Sequence, residues 1–207
     1  MKQKLDIENW ARKEHFHFFK QFDEPYFGVT IEVDCTHAYK KAKEMDISFF
    51  LYYLHKSIVA VNQTESFRYR IENDEIFIYN EIHASATINR PNNTFGFSYI
   101  PYQEDINKFV EGAKIEINRV QNSNSLLPAT NSENVIHYSS LPWIKFTALS
   151  HARNFKFQDS VPKISFGKLF DQGNKKLMPY SIHAHHALLD GYDVAQCLEL
   201  FQELLFK

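Results

Sequence analysis

The C-terminal part of the chain carries the pattern that most restricts its fold. Two alternating runs, KISFGKLF from Lys163 and KLMPYSIHAHH from Lys176, flank the turn-forming residues DQGN. Alternation of apolar and polar residues on both sides of such a turn predicts an antiparallel hairpin over residues 171–174. Pro179 has no amide hydrogen to donate, so the second strand is predicted to lie at a sheet edge or to begin after Pro179.

The segment after Gly191 has the strongest helical pattern in the chain. Asp193 and Gln196 have the spacing of a capping box, which predicts that the helix begins near Asp193. The apolar stripe of this helix consists of Val194, Cys197, Leu198, Phe201, Leu204 and Leu205. This regular spacing predicts that one face of the helix is buried.

Helical and strand-like patterns are mixed along the rest of the chain. Asp46 or Ser48 is a candidate cap for the most apolar helix, and Asn73 and Asp74 are the predicted turn of a second hairpin. Helices are predicted over residues 7–21, 37–46, 48–63 and 105–120. Strands are predicted over residues 27–33, 67–88 (the hairpin), 94–100, 135–141 and 143–149, with a surface loop over residues 121–134. The sum is one α+β domain over residues 1–207, with a mixed, largely antiparallel β-sheet and helices packed on one face.

Charge, hydropathy and cysteine content narrow the functional classes. The formal net charge is -2 and there is no basic block, which argues against a nucleic-acid partner. No apolar run is long enough to cross a bilayer, and the N-terminus lacks a signal-peptide core, so no membrane partner is expected. Cys35 and Cys197 are the only cysteines. Their spacing fits neither a disulfide framework nor a zinc site, which favours a reducing cytoplasm.

Residues 183–193 read HAHHALLDGYD, and the three histidines of this segment allow three interpretations. A zinc site needs three or four converging ligands, but His183 and His185 share one face of a strand while His186 points the other way. No metal site is therefore expected. An imidazole at a strand end can instead serve as a general base, because its pKa lies near neutrality. A purely structural histidine is the third interpretation, and it is the common outcome for an isolated histidine.

The composite pattern is more specific than any single histidine. HHALLDG, from His185 to Gly191, resembles the His-His-x-x-x-Asp-Gly signature of the chloramphenicol acetyltransferase family. Dihydrolipoamide acyltransferases and peptide-synthetase condensation domains share that signature. NWARKEHFHFF from Asn9 resembles the N-terminal segment of the family, and SSLPWIKFT from Ser139 resembles its Ser-x-x-Pro-Trp-x-x-Phe segment. The resemblance covers essentially the whole chain, and the chain length favours the stand-alone acetyltransferase over the larger relatives.

The resemblance implies a set of catalytic residues. His186 is the implied general base, and Ser139 is the implied hydroxyl donor to the oxyanion, with Ser140 beside it as an alternative. Arg12 and Asp190 are implied to form an ion pair that supports the base. Because no nucleophile-elbow serine is present, direct transfer is favoured over an acyl-enzyme. The implied reaction moves acetyl from the cosubstrate acetyl-CoA to a hydroxyl of chloramphenicol, which inactivates the antibiotic, and it uses no permanently bound cofactor.

The implied acceptor pocket is where the chain departs from the family. The residues assigned to it by the resemblance are Phe19, Phe27, Phe95, His151, Arg153 and Ser165. His151 and Arg153 stand where well-studied members have apolar residues. Polar and cationic groups in an apolar pocket are costly unless they have partners. The same reaction on a different, more polar acceptor is therefore an alternative.

The architecture and assembly also follow from the resemblance. The family implies a two-layer sandwich and a homotrimer, in which the catalytic histidine of one subunit faces a pocket of its neighbour. Trp143 and Lys168 are implied to contact CoA. A non-catalytic trimeric binding protein of the same fold is a third hypothesis, and the joint presence of His186, Asp190 and Ser139 argues against it.

Overall fold

The computed structural model describes residues 1–157 and 159–207, which contain five α-helices, one 3-10 helix (Glu65–Arg68) and ten strands. The helices are α1 (Lys13–Phe19), α2 (Thr36–Glu44), α3 (Phe49–Gln63), α4 (Ile106–Gln121) and α5 (Gly191–Phe206). The strands are β1 (Lys2–Lys4), β2 (Tyr26–Asp34), β3 (Tyr69–Glu72), β4 (Glu75–Tyr79), β5 (His83–Asn89), β6 (Phe95–Phe97), β7 (Val135–Ser140), β8 (Lys163–Phe166), β9 (Phe170–Gln172) and β10 (Lys175–His185).

The large sheet has the strand order β2-β10-β8-β7-β5-β6, and β9 pairs with the first residues of β10. β7 runs parallel to β5 and to β8, whereas the other pairs of this sheet are antiparallel. A smaller antiparallel sheet has the order β1-β4-β3. The prediction of a mixed, largely antiparallel sheet is confirmed.

One face of the large sheet is apolar and forms the main core with α2, α3, α4 and α5. Alternate residues of four central strands point into this core and are almost fully buried: Ala84, Ala86, Ile136, Tyr138, Ile164, Phe166, Ile182 and Ala184. Because side chains alternate across a strand, the residues between them point to the opposite face. The helices therefore pack on one face of the sheet, as the sequence predicts.

The opposite face, which we call the polar face, carries two rows of side chains that the register sets side by side. The first row is His137, Lys163, His183 and Gly28. The second row is Ser139, Ser165, Ser181 and Thr30. The segment after β7 crosses this face, where the His151 ring lies 4.8 Å from the His183 ring, measured between centroids.

The end of β10 meets α1 and the small sheet in a second apolar cluster. Phe16 of α1 packs there with Tyr69 and Ile76 of the small sheet. Ala187 and Leu188, which follow β10, are buried in the same cluster. The residues between β10 and α5 are therefore anchored by packing, although they lie outside both sheets.

Both predicted hairpin turns are confirmed by the backbone. Asn73 and Asp74 between β3 and β4 have φ values of 51° and 63°, and Gly173 between β9 and β10 has φ of 58°. Asparagine, aspartate and glycine tolerate this left-handed conformation better than other residues do.

The predicted position of Pro179 is wrong, because β10 is an interior strand. Pro179 is in register with Glu32 of β2, and β8 and β9 pair along the other side of β10. The Pro179 carbonyl accepts a hydrogen bond from the Gly167 amide at 2.8 Å. Gly167 lies between β8 and β9, where the hydrogen-bond ladder along β10 is interrupted. The missing amide hydrogen of Pro179 therefore removes no hydrogen bond from a regular strand pair.

Residues 143–149 do not form the predicted strand. The chain turns after β7, because the Ile144 amide donates to the Leu141 carbonyl at 3.1 Å and Trp143 and Ile144 are exposed. The strand predicted over residues 94–100 is reduced to β6 and an isolated bridge between Ile100 and Ala84. Alternation of apolar residues alone did not distinguish these segments from paired strands.

Helix starts were predicted less well than helix existence. The helix predicted over residues 7–21 is limited to α1. Ser48 occupies the N-cap position of α3, yet neither its side chain nor that of Asp46 forms the predicted cap. At the last helix, Asp190 is the N-cap and Asp193 is the third residue of the capping box, so the predicted pairing of Asp193 with Gln196 is wrong.

Candidate active site

The loop from His186 to Asp190 is held by backbone contacts at both ends. The His186 amide donates to the Pro25 carbonyl at 2.8 Å, which extends the β2–β10 pairing by one residue. The Leu188 amide donates to the His185 carbonyl at 2.9 Å. These bonds and the burial of Ala187 fix the direction in which the His186 side chain leaves the strand.

The His186 imidazole stacks on the ring of Phe19 and contacts the tilted ring of Phe27. Its centroid lies 4.0 Å from that of Phe19, with the rings nearly parallel, and 4.7 Å from that of Phe27. Its Nδ1 atom lies 3.3 Å from the Leu189 carbonyl oxygen. Because a carbonyl only accepts hydrogen bonds, we assign the proton to Nδ1, which leaves a lone pair on Nε2. The ring is thus oriented and has one nitrogen free to accept a proton.

Arg12 joins the two ends of the loop. Its Nη1 atom lies 2.5 Å from the Asp190 carboxylate, and its Nη2 atom donates to the His186 carbonyl at 3.3 Å. The Arg12 side chain is 17% exposed and that of Asp190 is 35% exposed, so water screens part of this pair. The side chains of the predicted pair are therefore in contact, across the base of the loop that carries His186.

The Asp190 carboxylate also begins α5. It accepts a hydrogen bond from the Tyr192 amide at 2.9 Å, while the Asp193 carboxylate accepts one from the Asp190 amide at 2.8 Å. Burial alone would raise the pKa of Asp190, but the hydrogen bonds from Arg12 and Tyr192 outweigh it and hold this pKa below its ordinary value. Gly191 is the first residue of α5 and does not have a positive φ.

Ser139 belongs to a different part of the sheet. It is in register with Ser165 of β8, and Ser165 is in register with Ser181 of β10. His186 follows Ser181 by five residues. At about 3.3 Å per residue and about 4.8 Å between strands, the backbones of His186 and Ser139 are on the order of 15–20 Å apart. The two predicted catalytic side chains of one chain are therefore not brought together.

Ser140 is the neighbour that the sequence left as an alternative to Ser139. Its hydroxyl lies 3.1 Å from the hydroxyl of Tyr53 on α3, so it points to the helix-covered side of the sheet. Ser139 points to the polar face. The geometry separates two adjacent serines that the sequence could not separate.

The predicted acceptor-binding residues fall into two groups and one outlier. Phe19 and Phe27 contact His186. His151 lies on the polar face, with its Nε2 atom 3.4 Å from the Ser165 hydroxyl oxygen, and Arg153 lies close by over the Tyr26 ring. Phe95 stands apart on β6 and is 46% exposed.

The two predicted CoA-binding residues flank a single backbone contact. The Lys168 amide donates to the Ile144 carbonyl at 2.9 Å, which brings Lys168 close to the turn that carries Trp143. Trp143 is 69% exposed. A large indole ring on the surface, beside a lysine, is available to contact a ligand or another copy of the chain.

The structure adds a group of charged residues that the sequence patterns did not indicate. Lys163 is 7% exposed and donates to the Asp159 carboxylate at 2.6 Å. The Tyr26 hydroxyl oxygen lies 3.0 Å from each of the Asp159 and Val161 carbonyl oxygens and can donate its one proton to either. A lysine at the start of the apolar strand KISF was the available signal, because lysine is rarely buried without a partner.

His185 packs behind the proposed base. It is 6% exposed, and its Nδ1 atom accepts a hydrogen bond from the Ala187 amide at 3.2 Å. Burial, with a contribution from Arg153, lowers the pKa of His185 to about 4.

In the described ranges, no three histidine, cysteine, aspartate or glutamate side chains converge on a metal position. Among the helices of the described chain, none is long and apolar enough to cross a membrane.

Known proteins match this chain over almost its whole length. The family model described as chloramphenicol acetyltransferase matches residues 2–202. The chain is 29% identical to chloramphenicol acetyltransferase 3 of Escherichia coli over 204 residues, which cover 97% of this chain and 95% of that protein. It is 30% identical to a chloramphenicol acetyltransferase of Bacillus pumilus over 200 residues, covering 96% and 91%.

Solved structures agree with this assignment. A chloramphenicol acetyltransferase structure matches with a TM-score of 0.91 and 29% identity, over 99% of this chain and 100% of that one. A probable dihydrolipoamide acetyltransferase from Listeria monocytogenes matches with a TM-score of 0.69 at 13% identity, over 94% and 89%, which is a likeness of fold alone. The fold is that of an acyltransferase. The chain belongs to the chloramphenicol acetyltransferase family and is an enzyme of the acetyltransferase class.

Proposed function

We propose that this enzyme transfers acetyl from acetyl-CoA directly to a hydroxyl group, with His186 as the general base. The observation that carries the proposal is the His186 ring, which stacks on Phe19, contacts Phe27 and is held at Nδ1 by the Leu189 carbonyl, so that the lone pair of Nε2 can accept a proton. Chloramphenicol is the acceptor that the names of the relatives support, and its acetylation would inactivate the antibiotic.

The proposed reaction has two proton transfers. Nε2 of His186 takes the acceptor's hydroxyl proton while the oxygen attacks the thioester carbonyl, a form of catalysis worth roughly 10²–10⁴-fold. The tetrahedral intermediate carries negative charge on the former carbonyl oxygen, and the Ser139 hydroxyl donates a hydrogen bond to it. When the intermediate collapses, the carbon–sulfur bond breaks and the CoA sulfur receives the proton from His186. The products are an O-acetyl ester and free CoA.

Arg12 and Asp190 serve as positioning residues in this proposal. Arg12 binds the carbonyl of His186 and the carboxylate of Asp190, so it sets the shape of the loop without touching the reacting atoms. Trp143 and Lys168 are the proposed contacts to CoA. The two buried free cysteines, Cys35 and Cys197, fit the proposed reducing cytoplasm.

A shared site in a homotrimer is part of the same proposal. The backbones of His186 and Ser139 in one chain are on the order of 15–20 Å apart, which supports a site divided between two copies. A rotationally symmetric ring of copies can bring His186 of one chain to the polar face of its neighbour. Each site then contains His186 from one subunit and Ser139 from the next.

Release of the CoA thiol tests the catalytic step. With acetyl-CoA and chloramphenicol, we expect release by the unmodified chain and a loss of roughly 10²–10⁴-fold in kcat for His186→Ala. His15→Ala is the control, because His15 is exposed on α1. Equal release by the His186→Ala and unmodified chains would contradict the catalytic role of His186.

Complementation tests the shared site. His186→Ala chains and Ser139→Ala chains, each nearly inactive, are co-expressed in equal amounts. If sites form between subunits, roughly a quarter of all sites in randomly assembled trimers combine an intact His186 with an intact Ser139. A mixture no more active than its two components would show that the site lies within one chain.

A further inference from the structure

Residues 24–27, at the start of β2, contact the proposed base at two points. The Pro25 carbonyl accepts the His186 amide hydrogen at 2.8 Å, and the Phe27 ring lies 4.7 Å from the His186 ring, measured between centroids. β2 is the first strand in the order of the large sheet and pairs with β10 alone among the described strands. Strand pairing therefore holds this segment from one side only, and other contacts must fix its position against His186.

Arg153 contacts this segment on both sides of Pro25. Its Nη1 atom lies 2.6 Å from a carboxylate oxygen of Glu24, and the same oxygen accepts the Tyr26 amide hydrogen at 3.1 Å. The guanidinium carbon of Arg153 lies 3.5 Å from the centroid of the Tyr26 ring. A planar guanidinium can pair with a carboxylate and stack on an aromatic ring at the same time. One side chain thus fixes the two residues that flank the carbonyl bound to the base.

The Tyr26 side chain is also held at its hydroxyl end. The hydroxyl contacts the carbonyl oxygens of Asp159 and Val161, and the Lys163 ammonium lies 4.4 Å from the ring centroid. Burial, together with the charge of Asp159, raises the pKa of Tyr26 well above its ordinary value, so the hydroxyl keeps the proton that it donates. Tyr26 is therefore a firm support, against which Arg153 can hold the start of β2.

The charge of Arg153 is used within the chain. Its side chain is 12% exposed and pairs with Glu24, whose side chain is 49% exposed. An arginine that already pairs with a carboxylate and stacks on a ring has less capacity left to bind a ligand. The acceptor contact that the resemblance implies for Arg153 therefore has less support in the structure than a contact to the start of β2.

We propose that Arg153 is a positioning residue for His186 and does not contact the acceptor. It acts through the clamp, by which we mean its contacts with Glu24 and Tyr26. The inference rests on the proposed function, because it assigns a role in placing the proposed base. A general base must lie within hydrogen-bond reach of the proton that it takes, and a displacement of about 1 Å can lower the rate by about 10²-fold. Loss of the clamp should therefore slow catalysis without weakening substrate binding.

Steady-state thiol release with acetyl-CoA and chloramphenicol separates positioning from acceptor binding. Arg153→Met keeps much of the side-chain volume but removes the ion pair and the stacked guanidinium. We expect kcat to fall roughly 10–100-fold, while KM for chloramphenicol and KM for acetyl-CoA each stay within about 2-fold. Glu24→Gln, at an exposed position, should lower kcat in the same way. A rise in KM for chloramphenicol with kcat unchanged would overturn the inference, because it would identify an acceptor contact.

The double variant Arg153→Met with Glu24→Gln tests whether the two residues act as one unit. Because both single changes break the same contact, kcat of the double variant should lie within about 2-fold of that of the slower single variant. Arg153→Lys keeps a cation beside Glu24, so its kcat should exceed that of Arg153→Met by roughly 3-fold or more. Losses that multiply in the double variant, or a lysine variant as slow as the methionine variant, would count against the clamp.

Lys176→Met is the matched control. Lys176 donates to the Asp171 carboxylate at 2.7 Å and lies 5.0 Å from the centroid of the Tyr39 ring, so it repeats the same arrangement at the other end of β10. Its kcat should stay within about 2-fold of that of the unmodified chain. A loss equal to that of Arg153→Met would contradict a specific role for the clamp. Urea unfolding verifies that each variant is folded, and Glu24→Gln decides the result if Arg153→Met is not.

Co-expressed chains show to which side of a shared site Arg153 belongs. When Ser139→Ala and His186→Ala chains are mixed, every complete site takes His186 from the first chain and Ser139 from the second. Arg153→Met added to the Ser139→Ala chain should lower the activity of the mixture roughly 10–100-fold, because that chain supplies the working base. Added to the His186→Ala chain, it should leave the activity within about 2-fold. The reverse result would assign Arg153 to the acceptor, beside Ser139, and overturn the inference.

The same assays separate the inference from the proposed function. Thiol release that requires His186 but is equally fast in Arg153→Met would overturn the positioning role and leave the proposed function standing. Absence of His186-dependent release by the unmodified chain would overturn the proposed function, and the inference with it.

Discussion

The two faces of the large sheet carry different kinds of side chain, although the same strands form both. On the helix-covered face, Ile164 and Phe166 of β8 are fully buried against apolar neighbours. On the polar face, Lys163 and Ser165 alternate with them and are also buried, but beside histidine, serine and aspartate. Along β8, burial is therefore nearly equal on the two sides, and only the chemistry of the neighbours differs.

This contrast distinguishes residues that contribute to packing from residues that are candidates for binding. A buried apolar side chain stabilises the fold by leaving water. A buried lysine or histidine costs free energy unless it has a partner, and it is a candidate for function when part of its hydrogen-bonding capacity is left over. We expect changes on the first face to alter stability and changes on the second to alter activity.

The largest effect is expected for Phe166→Ala on the helix-covered face. The Phe166 ring lies 4.4 Å from that of Tyr53 and is fully buried. Its loss should lower the free energy of unfolding by about 3–5 kcal/mol. Urea unfolding at fixed protein concentration measures the change, with Ser165→Ala on the other face of β8 as the control, expected at about 1 kcal/mol or less. Similar losses for the two variants would remove the distinction between the faces.

The next effect is expected for Ser139→Ala on the polar face. Removal of an oxyanion donor should lower kcat by about 10²–10³-fold, or about 2.7–4 kcal/mol in the barrier, with little change in stability. Ser140→Ala is the matched control, because its hydroxyl bonds to Tyr53 on the helix side. Steady-state thiol release and urea unfolding measure the two quantities. A larger rate loss for Ser140→Ala than for Ser139→Ala would reverse the assignment.

The sequence predicted local features of the fold, such as turns, better than it predicted contacts with distant parts of the chain. Hairpin turns at Asn73 and Gly173 require backbone shapes that few residues adopt, so they could be recognised from the sequence. Pro179 was misplaced because its tolerance depends on an interruption between β8 and β9, which is a property of neighbouring strands. The N-cap role was assigned to Asp193 instead of Asp190. The Asp190 carboxylate both pairs with Arg12 and accepts a hydrogen bond at the start of α5, and the sequence does not show this double role.

The candidate site shows the same limit. The resemblance to the family implied that His186, Arg12 and Asp190 are neighbours, and the last two are in contact. It did not indicate the surroundings of Lys163, because these depend on which residues lie side by side across four strands. Register is a long-range property, and single-sequence patterns carry little information about it.

A smaller effect concerns the dependence of stability on pH. The pKa of His185 is about 4 in the folded chain, below the ordinary value of 6.5, so the unfolded chain binds the extra proton first. The contribution of His185 to stability is complete above pH 6.5 and is lost as pH falls towards 4, by on the order of 3 kcal/mol at most.

The variant His185→Gln measures that contribution. We expect its free energy of unfolding to fall less between pH 6.5 and pH 4.5 than that of the unmodified chain. His15→Gln, at an exposed position on α1, should retain the original dependence. Parallel pH profiles for the His185→Gln and unmodified chains would show that His185 is not held neutral by burial.

The smallest effect is expected at Asp190, which follows β10 and begins α5. Asp190→Ala removes both the N-cap of α5 and the pair with Arg12, and it should lower the free energy of unfolding by about 1–2 kcal/mol. Asp190→Asn keeps an acceptor for the helix amide but removes the charge, so its loss should be smaller. Because Asp190 is one-third exposed, added salt should reduce the difference between the asparagine variant and the unmodified chain.

Kinetics of the same two variants separate a positioning role from a structural one. If Asp190 acts through Arg12 on the carbonyl of His186, then Asp190→Asn should lower kcat while KM for acetyl-CoA stays nearly constant, although the helix cap is retained. A variant that loses stability but keeps kcat would limit Asp190 to capping α5. A fall in kcat larger than the change in stability accounts for would instead connect this ion pair to the orientation of His186, the proposed base.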